Sequence, residues 1–463
     1  MTAIAQDLCQ FLDRQKVWTD PEDLYAYAAD AIQYFARGKP DAVVLPHTAE
    51  EVSKVLRYAS KQRIPVTPRG AGTGLSAGCT PIQGGIVLDM KRMNRILEIN
   101  RGNMTARVES GAVLGLFQDM VESMGLFYPP DPQSQEVSTL GGNVSTRAGG
   151  PRGVKYGTTA HYVLGLEVVL PDGEIINTGG SCVKQSVGYD LTHLLTGAEG
   201  TLGVITKVNL RLLPLPPIHR TAVIVCESLD QAAQLVSEII ARGTVPAKLE
   251  FITAAGIQLM NATISPPLMT EGEAYLLTEL DGSLAQVEED TQKLRELCGK
   301  MKAMDLRIIE EEEEAQTYWK ARINLAPSIL RLFKKMVIED VTVPRDRIPD
   351  FVRALQNISS SLGMIIGIGG HAGDGNMHPT IVFPEVNETE EKKAAEAIER
   401  IVKTGLELGG TLSGEHGIGL HKAPFLAWEL GDAQVALLKR IKKAFDPLGI
   451  MNPGKIWPEG GAA

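Results

Sequence analysis

The segment Pro68-Arg-Gly-Ala-Gly-Thr-Gly-Leu-Ser-Ala-Gly78 places four glycines and two hydroxyls directly after the β-type run Ile64-Pro-Val-Thr67. Glycine tolerates positive φ and lets an anion approach the main chain, so such a loop turns consecutive N–H groups toward one phosphate. A plain turn needs only one or two glycines, and a nucleotide pyrophosphate is the expected guest. Gly72-Thr-Gly74-Leu-Ser-Ala77 also fits the dinucleotide fingerprint, with Asp89 after Gly85-Ile-Val-Leu88 imitating its ribose-binding acid. That fingerprint requires a crossover helix between its glycines and the next strand. Here the gap contains Gly78, Pro81, Gly84 and Gly85, which leave no room for a helix of useful length. An NAD-dependent alcohol dehydrogenase is therefore disfavoured.

Two further glycine clusters follow, Thr139-Leu-Gly-Gly-Asn-Val-Ser-Thr-Arg-Ala-Gly-Gly150 and Thr196-Gly-Ala-Glu-Gly-Thr-Leu-Gly203. Three such loops exceed the needs of one phosphate. They suit a long cofactor gripped along its length, and among common redox cofactors FAD meets that description.

At 463 residues the chain exceeds what one core usually organises, so two domains are expected. Asp41-Ala-Val-Val-Leu-Pro46 reads as a strand, Thr48-Ala-Glu-Glu51 as a capping box, and Val52, Val55, Leu56 and Ala59 as one helix face. With Ile64–Thr67 as the next strand, this is a parallel crossover unit. Strands at 85–90 and 105–110, a helix from Leu114 to Met124 and a hairpin over 164–179 turning at Pro171-Asp-Gly173 complete a mixed α/β domain. Leu213-Pro-Leu-Pro-Pro217 ends it. Helices near 229–242, 285–302, 311–334, 349–362 and 389–408, separated by short β-type runs, describe an α+β second domain. The expected fold class is thus α+β, with domains over 1–217 and 218–420 and a C-terminal segment, 421–463, returning to the first.

A net charge of -10 argues against a nucleic-acid surface, which needs clustered Lys and Arg. Asp7, Asp13, Arg14 and Lys16 interrupt any apolar signal region, and no stretch approaches a membrane span. Cys9, Cys79, Cys182, Cys226 and Cys298 lie too far apart for a metal ribbon or an iron–sulfur motif. The cytoplasm is the expected compartment.

Of eight histidines, His371, His378, His416 and His421 fall within 51 residues. His371-Ala-Gly-Asp-Gly-Asn-Met-His378 sets an Asp-Gly turn between two imidazoles, and a reversal there brings both rings to one site. Ser413-Gly-Glu-His-Gly-Ile-Gly419 adds a carboxylate beside a third imidazole. Two imidazoles and a carboxylate bind a divalent ion and leave positions open for substrate; zinc is the first choice, with iron or manganese as alternatives. His421 matches no ligand position and reads as structural. Asn376 either bonds substrate or shapes the turn.

The segments PRGAGTGLSAG, STLGGNVST with the following AGG and KYG, GYDLTHLLTGAEGTLGVIT and NPGKIW resemble flavoproteins of the vanillyl-alcohol oxidase and p-cresol methylhydroxylase type. Within that superfamily they are most similar to the D-lactate dehydrogenase and glycolate oxidase flavoprotein-subunit branch, over residues 40 to 457. The resemblance implies an FAD domain and a cap, with Pro68, Arg69, Gly70, Ala71, Gly72, Thr73, Gly74, Leu75 and Ser76 on the pyrophosphate. It further implies that Thr139, Gly142, Asn143, Ser145, Gly149, Tyr156, Gly157, Gly200, Ile205 and Asn452 line the cofactor. Arg147 stands where relatives often carry asparagine, and the loop has no histidine for a covalent flavin bond, so FAD is expected to be non-covalent.

By the same resemblance His371, His378 and Glu415 are metal ligands, His416 is the catalytic base, and Arg322 binds substrate carboxylate through its guanidinium fork. The implied activity is oxidation of a small D-2-hydroxy acid, D-lactate or glycolate, with metal-assisted hydride transfer to flavin. Electrons would leave to an iron–sulfur partner subunit, an electron-transferring flavoprotein or a quinone, because the chain carries no second redox motif. The alternatives are a D-2-hydroxyglutarate-type dehydrogenase and a non-catalytic flavin electron carrier.

Overall fold

The computed structural model describes residues 2–32, 37–265, 267–268 and 270–457. The chain divides into two compact units: Met1–Ala148, Thr158–Leu215 and Glu415–Ala463 form the first, Gly149–Gly157 and Pro216–Gly414 the second. Among the described residues no helix is long and apolar enough to cross a membrane.

In the first unit, strands Ala42–Val44, Ile86–Asp89 and Val66–Arg69 are parallel neighbours, with Val17–Trp18 antiparallel at the edge. Helix Ala49–Gln62 crosses between two of them because Val52, Val55, Leu56 and Ala59 share a buried face. Thr48 caps it by accepting from Glu51 N, while the Glu51 carboxylate reaches back to His47 N. No helix occupies 70–85, which settles the connection between the parallel strands as a loop. A second, antiparallel sheet runs Ile96–Asn100, Thr105–Glu109, Val204–Arg211, Val163–Val169 and Ile175–Gly179. The C-terminal segment returns by pairing with the first sheet: Val66 N donates to Ile450 O and Asn452 N to Val66 O, both at 2.8 Å. Ile450 and Met451 thereby join the core of Val44, Leu56 and Leu88.

The second unit is built on a seven-stranded antiparallel sheet in the order Asp305–Ile309, Ile218–Cys226, Ala274–Gly282, Lys248–Thr253, Gly369–His371, Asn376–Met377, Val341–Thr342. Helices Leu229–Ala241, Leu284–Lys300, Ile348–Leu362 and Glu388–Glu407 match the periodic stretches read from sequence. The stretch 311–334 does not form one helix. It breaks into Glu312–Ile323 and Leu325–Leu332. Pro327 has no N–H to give to a helix interior and sits in the first turn of the second piece, where the amide would be unpaired anyway. Helix Leu426–Phe445, broken at Gly431, was not anticipated.

Two boundaries also differ from the sequence reading. Gly149–Gly157 belongs to the second unit, where Lys155 Nζ and Tyr156 Oη each bond the Asp281 carboxylate at 2.5 Å and Val154 packs against Gly373. The return to the first unit begins at Glu415 rather than at residue 421.

Candidate active site

In the first unit the three glycine segments converge. A Cβ on Gly70 would lie 2.3 Å from Thr139 Oγ1, and one on Gly200 would lie 3.0 Å from Pro68. Glu199 N donates to Ser145 O and Gly197 N to Val144 O, both at 2.9 Å. Asn452 Nδ2 closes the set by donating to Gly78 O and Glu199 O. Thr139 caps the short helix Leu140–Thr146 through Gly142 N, and Ser145 Oγ bonds Gly141 O inside that turn.

The backbone of 70–76 fits an anion. Gly72 has φ of 75°, and among the described residues no N–H from Gly70 to Ser76 donates to a protein acceptor. The Arg69 guanidinium packs against Gly72, where a Cβ would stand 2.1 Å from it, and is committed to Ala29 O at 2.8 Å and to the Tyr27 ring. Ser76 Oγ is likewise committed, to His416 O and Gly417 O. Asp89, the imitation ribose acid, is buried and bonded to Tyr27 Oη at 2.5 Å and paired with Lys91, so it presents nothing to a nucleotide. Arg147, at φ 57°, bonds Thr196 O and His193 O and so braces the second glycine segment against the third. Thr139, Gly142, Asn143, Ser145, Gly200, Ile205 and Asn452 are thus in the first unit, whereas Gly149, Tyr156 and Gly157 are in the second.

In the second unit the Asp-Gly turn works as the sequence predicts. Gly370 pairs with Met377 and His371 with Asn376, so His378 is the diagonal neighbour of His371 on one sheet face. Their rings meet edge to face with centroids 4.9 Å apart. Each ring is oriented through Nδ1: His371 to Glu250 Oε1 at 2.6 Å, His378 to the Glu339 carbonyl at 3.1 Å. Pinning Nδ1 this way selects Nε2 as the ligating atom, the usual carboxylate–histidine and carbonyl–histidine device behind metal ligands. The donor chemistry therefore fits a divalent cation.

Glu250 also pairs with Arg322 Nη2 at 2.6 Å. Burial alone would push its carboxyl up, but His371 and Arg322 overcome that and hold it below the ordinary carboxylate range. Arg322 is neither solvated nor fully used: its Nε is buried and has no hydrogen-bond acceptor among the described residues. Asn376 spends its Nδ2 on Asp340 Oδ1 at 2.7 Å, which favours the turn-shaping role. Ser413 Oγ bonds the other Asp340 oxygen at 2.6 Å. Two residues further along, Glu415 and His416 open the segment of the first unit, 3.8 Å from each other. The buried acids Glu250, Glu339 and Asp340 were not singled out from sequence. Their signal was a charge inside an apolar β-type run, as in Lys248-Leu-Glu-Phe-Ile and Val337-Ile-Glu-Asp-Val341.

An FAD binding domain family matches residues 40–179, and the FAD linked oxidases, C-terminal domain family matches residues 215–456. The chain is 43% identical to the glycolate oxidase subunit GlcD of Bacillus subtilis over 431 residues, 93% of this chain and 92% of that protein. It is 34% identical to a D-lactate dehydrogenase of Anaerostipes hadrus, over 93% of this chain and 92% of that protein. Among solved structures, p-cresol methylhydroxylase superposes with a TM-score of 0.83 at 18% identity, covering 99% of this chain and 97% of that one, a likeness of fold.

Proposed function

Because the chain belongs to the FAD-linked oxidases of the vanillyl-alcohol oxidase and p-cresol methylhydroxylase superfamily, we propose that it oxidises a small D-2-hydroxy acid, D-lactate or glycolate, to the 2-oxo acid. The observation that carries the proposal is the buried chain Arg322–Glu250–His371 beside His378. A guanidinium with an orphaned, buried Nε suits a substrate carboxylate, whose second oxygen the same planar fork can reach. Glu250 keeps that arginine and the His371 ring in fixed orientations and prevents either from relaxing toward solvent.

His371, His378 and Glu415 would hold a divalent ion, zinc first, which when bound supplies Lewis acidity to lower the pKa of the 2-hydroxyl. FAD, held without a covalent bond along 68–76, 139–145 and 196–205, supplies the two-electron acceptor when bound. His416 takes the hydroxyl proton. Arg322 fixes the carboxylate end, so a single C2–H bond faces the redox centre and the D configuration is selected. The fitting acceptor of the electrons is an iron–sulfur or flavoprotein partner, or a quinone, because the five cysteines form no cluster motif.

Glu415 and His416 are neighbours with different assignments, and their replacements separate the roles. Glu415→Ala should lower metal content and damage both KM and kcat. His416→Ala should keep metal and FAD while kcat falls by roughly 10² to 10⁴ and the acidic limb of the pH profile, where the base is lost to protonation, disappears. Loss of metal in His416→Ala with retention in Glu415→Ala would exchange the two roles; unchanged turnover in both would move the site elsewhere.

A further inference from the structure

The loop carrying Glu415 and His416 is held from one side by a single carboxylate. Glu199 Oε1 accepts from Ile418 N and Oε2 from Gly419 N, each at 2.8 Å. Ser76 grips the same loop: its Oγ lies 3.0 Å from both His416 O and Gly417 O, and its carbonyl accepts from Leu420 N at 2.8 Å. The approach is close enough to demand glycine. A Cβ on Gly419 would stand 2.0 Å from Ser76 O, one on Gly417 3.1 Å from Glu199 Cδ, and both glycines have positive φ.

Glu199 itself sits at φ 49°, an uncommon conformation for a side-chain-bearing residue, and is fixed there by Ser145 O and Asn452 Nδ2. Its carboxyl is buried; burial pushes its pKa up, and the Ile418 and Gly419 amides pull against that. A buried carboxyl whose two oxygens each accept one of two adjacent amides fixes their plane more tightly than a single acceptor does. Filling space alone would not require two acceptors.

We propose that Glu199 and Ser76 are positioning residues: they form a latch that sets the backbone following His416 and thereby the placement of Glu415 and His416. Both latch residues belong to the glycine segments assigned to the cofactor, so the flavin-binding turns and the metal-and-base loop share one hydrogen-bonded frame. This proposal rests on the roles given to Glu415 and His416 above.

The test uses flavin-loaded, full-length Glu199→Gln, which places an amide donor against one of the two N–H groups. Hydrogen exchange of a peptide spanning 415–421 should accelerate, Zn2+ affinity in chelator competition should fall roughly 10- to 100-fold, and the pH profile of kcat should shift, each read on the flavin-loaded fraction. Ser76→Ala should move the same readouts in the same direction by less, and it serves if Glu199→Gln does not fold. Wild-type exchange rates would overturn the latch. Faster exchange with unaltered Zn2+ affinity and pH profile would overturn its positioning role. If wild-type protein takes no Zn2+, the metal assignment fails, and exchange and pH profile alone then decide the latch.

Discussion

Asp30 shows how much of the chemistry in this chain depends on burial that a sequence cannot display. Its Oδ2 is buried without a hydrogen-bond partner among the described residues and lies 3.4 Å from where a Cβ on Gly74 would stand, beside the phosphate cradle. Burial, only partly offset by the Ile32 amide and Arg69, raises its pKa to about 7 from 3.8. The folded state therefore holds this proton more tightly than the unfolded chain. Its stability contribution is complete below about pH 4 and is lost as the pH rises to about 7, in total by roughly 2–4 kcal/mol. Flavin-stripped Asp30→Asn should consequently match wild type in thermal stability at pH 4 and exceed it at pH 8. A difference that stays constant across that interval would show that Asp30 is ionised throughout. The same limit applies to Glu250, Glu339 and Asp340: the histidines were legible because they are few and clustered, whereas acids are common and only packing reveals which are buried. Arg322 was reachable only through the family resemblance, and its ion pair with Glu250 came from the fold.

At the scale of elements, local rules succeeded where they were strong. The Asp374-Gly375 turn, with Gly375 at φ 86°, fixes the hairpin register and puts His371 and His378 on one face. Glycine and proline between 78 and 85 excluded a crossover helix, and none formed. The long strand Ala274–Gly282 escaped because eight of its residues in a row are buried, which erases the alternation that marks a half-exposed strand. The glycine segments make a direct prediction. Gly70→Ala would place its methyl 2.3 Å from the Thr139 oxygen that caps the neighbouring helix. Forcing that cap aside costs about 1–3 kcal/mol, so FAD affinity in titrations of stripped protein should fall about tenfold or more. Gly102→Ala, whose methyl would meet only an ordinary contact at 3.6 Å, should bind FAD as wild type does. Equal affinities in the two variants would remove Gly70 from the cofactor site.

At the scale of the whole molecule, the two-domain flavoprotein fold was legible because several motifs occur in one order along most of the chain, and the matched families, over 40–179 and 215–456, follow in that same order. The excursion of Gly149–Gly157 into the second unit was not legible. It is fixed by tertiary bonds from Lys155 and Tyr156 to Asp281, some 125 residues away in sequence. Flavin bound to this protein should be reduced by a small D-2-hydroxy acid. Anaerobic mixing of the purified, flavin-loaded protein with D-lactate, glycolate or L-lactate, followed by its visible absorbance, tests that claim without needing the physiological acceptor. The yellow colour should bleach with D-lactate or glycolate and persist with L-lactate. A protein that takes up no FAD, a flavin left oxidised by both of the first two acids, or one bleached by L-lactate would contradict it.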